Sequence, residues 1–137
     1  MIGQKFLIVA LCMITNSAFS QEKMSISAEC ATSATATDGL PRYCNSAPSL
    51  AKAPDGFVFN QQSSLVTESG AAGGVHHCRF GWGDTIEVVS GTGLTAPRSF
   101  SLTAHAESPS AHGSPVGWAN CTAILSLAKQ PKISPDK

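Results

Sequence analysis

The chain has 137 residues, no net charge and only 13% charged residues, a balance that offers nucleic acid or anionic lipid no electrostatic footprint. The composition also argues against intrinsic disorder, which comes with high charge and few β-formers, whereas Ser, Thr, Ala and Gly abound here. Aromatics make up 7% of the chain, which implies a thin core that covalent staples would help to hold.

Met1 to Ser20 reads as an export signal. Lys5 supplies the positive charge, Phe6 to Ile14 the apolar core, and Ala18 and Ser20 the small residues that a signal peptidase accepts, with the cut expected between Ser20 and Gln21. The apolar run is about half the ~20 residues that a spanning helix needs, so no membrane span is expected in the mature form. Cys12 could instead mark a lipoprotein, but Leu11 stands before it where a small side chain is required. Removing 20 of the 137 residues leaves 117, the length of one domain. The mature chain then carries four cysteines, Cys30, Cys44, Cys78 and Cys121, an even set suited to a secreted or periplasmic, oxidising location.

From Ser25 to Thr37 apolar and polar residues alternate, with Ile26, Ala28 and Cys30 on one side and Ser25, Ser27 and Glu29 on the other, the pattern of a half-buried strand. Asp38-Gly39 supplies a turn before Leu40 to Cys44, and Asn45 to Gly56 reads as a loop in which Pro48 and Pro54 exclude a central strand. Two short strand pieces follow, Phe57 to Phe59 and Leu65 to Thr67, separated by the polar interval Gln61 to Ser64. After the glycine-rich connection Gly70 to Gly74 come Val75 to Trp82 and Thr85 to Val89, with Gly81 and Gly83 marking a bulge or tight turn between them. The clearest strands are Arg98 to Glu107, with Phe100, Leu102, Ala104 and Ala106 facing one way, and Trp118 to Ala128, with Ala119, Cys121, Ala123, Leu125 and Leu127 sharing a face. Ser108 to Gly117 between them is a loop.

Outside the signal no stretch repeats apolar residues at helical spacing. The chain is therefore expected to be all-β, a single antiparallel β-sandwich over residues 21–129, immunoglobulin-like in a loose sense, with a small β-barrel as the alternative. Residues 130–137, with Pro131 and Pro135, read as a disordered C-terminal tail.

Four cysteines allow three connectivities. Cys78 shares a face with Phe80 and Trp82, and Cys121 with Ala123 and Leu125, so both would point into the core if their strands face each other across it. That favours a Cys78–Cys121 disulfide and leaves Cys30–Cys44 to clip the first turn. No Cys-x-x-Cys spacing is present to poise a reactive thiol.

His76, His77 and Cys78 are consecutive, and adjacent strands could bring His77 to His105, but neighbours on a strand point to opposite faces and cannot both hold one ion. No metal and no cofactor is expected. A Gly-x-Ser-x-Gly elbow is missing and no carboxylate pair stands out by spacing, so an enzyme is not expected either. Asn120-Cys121-Thr122 fits a glycosylation sequon, though a strand beside a disulfide is a poor acceptor. The candidate contact residues are Trp82 and Trp118, whose rings could stack on a sugar or anchor a protein, together with His105 and His112. The expected function is a binding or interaction module for an extracellular protein or glycan. The alternative is a small secreted inhibitor or effector acting on another secreted enzyme.

Overall fold

The alternating segments become the strands of two facing antiparallel sheets. The structure, a computed structural model, describes residues 22–33, 42–108 and 116–130. The strands are β1 (Lys23–Ala31), β2 (Tyr43–Asn45), β3 (Ser49–Lys52), β4 (Phe57–Gly70), β5 (Val75–Gly83), β6 (Ile86–Glu87), β7 (Thr95–Ala96), β8 (Ser99–Glu107) and β9 (Trp118–Lys129). The leader Met1 to Ser20 with Cys12, the Asp38-Gly39 turn, His112 and the tail beyond Gln130 lie outside the described residues. Among the described residues no helix is long and apolar enough to cross a membrane.

One sheet runs β1-β9-β4. In the other, β8 is central, with β5 along one side and β2 and β3 in tandem along the other. Neither sheet closes into a barrel. The longest apolar alternations, β8 and β9, take the two central positions because a central strand has a neighbour on each side and loses most water from its inner face. Phe100, Leu102, Ala104 and Ala106 of β8 meet Ala119, Cys121, Ala123, Leu125 and Leu127 of β9, and these nine residues form most of the buried core. Burial alternates residue by residue along β8, as period-two facing requires.

Two segments differ from the sequence reading. Ser49–Lys52, expected to be loop, is strand β3, paired antiparallel to β8 from Ser49↔Leu102 to Lys52↔Ser99. Pro48 and Pro54 bracket it and fall outside the paired residues, so neither removes a ladder N–H. The two pieces around Gln61 to Ser64 are one strand, β4, interrupted by a bulge between Asn60 and Leu65. Asn60 Oδ1 accepts the N–H groups of Gln62 and Ser63 at 3.1 and 3.3 Å, and the Ser126 hydroxyl donates to the Ser63 carbonyl at 2.9 Å. The bulge reverses which parity faces inward: Phe57 and Phe59 point to the core before it, and Val66 after it. β6 and β7 form a separate two-stranded ribbon.

Candidate functional site

Both disulfides join one sheet to the other. Cys30 on β1 is bonded to Cys44 on β2, and Cys78 on β5 to Cys121 on β9. Around them the core side chains are small: Ala28, Ala104, Ala106, Ala119 and Ala123. The loops at this end are tied at their feet. Thr32 N–H donates to the Gly117 carbonyl at 2.7 Å, and Gly117 N–H returns the bond to Thr32 Oγ1 at 3.0 Å. Ser108 N–H donates to the Arg42 carbonyl at 2.7 Å while Arg42 N–H donates to Ser108 Oγ at 2.9 Å. Thr32 and Ser108 are both buried, so each hydroxyl is satisfied where an unpaired one would be costly.

The histidines separate into two environments. His77 and His105 are directly opposite across the β5–β8 pair, with ring centroids 4.6 Å apart. Asn45 lies opposite His105 on the other side. His105 Nδ1 is 2.7 Å from Asn45 Oδ1, and its Nε2 is 3.3 Å from Glu107 Oε1. With both ring nitrogens engaged, His105 acts as the centre of a polar row on the outer face of this sheet. His76 instead faces the seam between β4 and β5, where its Nδ1 is buried without a partner and Gly70 leaves space for its ring. Among the described residues no group of three or more His, Cys, Asp or Glu side chains could hold a metal ion.

The two tryptophans also part company. Trp82 packs inward, its ring 4.7 Å from Phe100 and 5.7 Å from Phe59, centroid to centroid. Trp118 points outward from β9 and is 37% exposed. Asn120 and Thr122 follow it on the same face, and across the register stand Ala31 opposite Trp118, Glu29 and Ser69 opposite Asn120, and Ser27 and Thr67 opposite Thr122. Trp118, Asn120, Glu29 and Ala31 line an open hollow of about 520 Å³. Tyr43, on β2 beside Cys44, exposes 72% of its surface at the same end of the molecule.

A second groove, of about 450 Å³, lies at the opposite end between β4 and the β6–β7 ribbon, with Val58, Gln61, Val88 and Lys129 in its walls. The sequence reading separates Thr85 to Val89 from the preceding strand but gives it no partner, because that partner, Thr95–Ala96, is only two residues long. The signal for the ribbon is Gly91 and Gly93, both of which adopt positive φ, 77° and 71°, the conformation that glycine tolerates in a tight turn.

Comparison with protein-family models, with curated proteins and with solved structures returns no match for this chain.

Proposed function

We propose that this chain is an exported binding module whose contact surface is the disulfide-stapled end of the sandwich. The observation that carries this reading is that exposed rings, Trp118 on one sheet and Tyr43 on the other, stand at the end where two disulfides and reciprocal hydrogen bonds hold the backbone. Aromatic rings supply contact area at small conformational cost, and a surface already rigid before contact loses little entropy on binding. Two disulfides are compatible with an extracellular or otherwise oxidising compartment, and the leader Met1 to Ser20 supports secretion or periplasmic export. In this reading the chain binds and does not catalyse.

The hydrogen-bonded positions of Ser108 and Gly117 support one variant of this function, inhibition of a secreted enzyme through the segment that joins them. Immobilised mature, oxidised protein exposed to the native exoproteome and to cell-surface polysaccharide tests the proposal. Capture of a component that is lost with the Tyr43→Ser/Trp118→Ser double variant supports it, and a captured enzyme that loses turnover marks the inhibitor. Equal capture by the double variant would refute the assignment of the surface.

A further inference from the structure

We infer that the outer face of the β1-β9-β4 sheet beside Trp118 is a binding site for a neutral, β-linked gluco-configured oligosaccharide; the inference rests on the binding-module reading and names its ligand class. Trp118, Asn120 and Thr122 occupy alternate positions of β9 and so share one face. Ala31, opposite Trp118, has no bulk to cover the indole. A pyranose with equatorial hydroxyls has an apolar face of axial C–H groups that suits an open indole, and its hydroxyls project sideways. Alternate residues on a strand are about 7 Å apart, so the hydroxyls of a ring stacked on Trp118 would reach the next row, Glu29 and Asn120. The carboxylate there accepts, and the amide both accepts and donates, which matches vicinal hydroxyls. Among the described residues neither of these side chains has a protein partner.

Three further observations narrow the ligand. Among the described residues Glu29 is the only charged group lining the hollow, which disfavours uronates, phosphates and other anions. Beyond the Asn120 row comes a row of small polar residues, Ser27, Thr122 and Thr67, which sets the exposed Leu65 and Ile124 of the row after it apart from the Trp118 indole. Finally, four residues of this face adjoin a cystine pointing the other way: Cys30 lies between Glu29 and Ala31, and Cys121 between Asn120 and Thr122. The disulfides therefore fix the backbone of the site itself, as a pre-organised site requires.

The chain's two tryptophans give the test an internal control. The mature, oxidised protein, labelled with ¹⁵N, is titrated with cellotetraose and with tetra-N-acetylchitotetraose up to about 10 mM, a range that reads millimolar dissociation constants. The Trp118 indole N–H resonance is expected to shift with one of these sugars while that of Trp82 stays in place. Trp118→Ala should abolish the response with the Trp82 signal unchanged, Trp118→Phe should retain a weaker one, and Glu29→Gln should weaken binding about tenfold, the worth of one charge-assisted hydrogen bond. Polygalacturonate should bind no better than cellotetraose. No shift with either sugar, or an equal response in Trp118→Ala, would overturn the inference. Protein capture by the stapled end together with silence toward both sugars would likewise overturn it while leaving the binding module standing.

Discussion

The two ends of the sandwich are held together by different means. At one end the inward residues are Phe59, Phe100, Leu102, Leu125 and Leu127, with Trp82 packed against them. At the other they are Ala28, Ala104, Ala106, Ala119 and Ala123, with the two cystines among them. Burying a Leu or Phe side chain contributes about 1.5 to 3 kcal/mol, and an alanine methyl far less, so the alanine end cannot be stabilised by apolar burial to the same degree. Covalent links supply there what side-chain mass supplies at the other end, and they do so by restricting the unfolded chain. The exposed aromatic rings Trp118 and Tyr43 belong to the stapled end. Its loops therefore rest on a frame that does not depend on a large core beneath them.

This contrast can be broken by mutation. Phe100→Ala or Leu125→Ala, both in fully buried side chains, should cost about 3 to 5 kcal/mol through lost burial and a residual cavity, read from urea unfolding midpoints; a loss under 1 kcal/mol would remove the bulky end as the apolar anchor. Replacing Cys78 and Cys121 together by Ala should cost about 4 kcal/mol and the Cys30/Cys44 pair about 3, because the first closes the longer loop, with sequence separations of 43 and 14. The reverse order in thermal denaturation would show that loop length does not decide it. Ala104→Leu should cost about 1 to 3 kcal/mol by overpacking the stapled end, and a stabilised variant would mean that space was left there. Gly70→Ala should cost a similar amount, since a side chain at Gly70 runs into the His76 ring. The smallest effect is expected for His105→Ala, about 1 kcal/mol for lost hydrogen bonds to Asn45 and Glu107, with the core amide resonances unmoved in an NMR spectrum.

Much of this architecture was legible in the sequence because period-two facing is local. The inward faces of β8 and β9 follow directly from their alternation, and so does the inward direction of both Cys78 and Cys121. The same parity separates the tryptophans: Trp82 falls in step with Cys78 and Phe80, while Trp118 falls in step with Asn120 and Thr122. The structure follows that parity, with Trp82 packed against Phe59 and Phe100 and Trp118 turned outward. What stayed hidden depends on non-local pairing. Strand β3 is stabilised by the neighbouring β8, not by its own four residues, and the β4 bulge is closed by Ser126 from β9. The outer-face row Asn45, His105 and His77 is assembled from three strands, so spacing in the chain could suggest only one of its pairs.

The placement of the cystines has a consequence for the order in which the two ends become fixed. Apolar burial at the bulky end needs no oxidant, so a newly made chain can collapse there while its thiols are still reduced. The Glu29, Ala31, Asn120 and Thr122 positions, each next to a bonding cysteine, gain their covalent restraint only when both links have formed. In a reducing space the bulky end keeps its apolar burial while the alanine end loses both of its links.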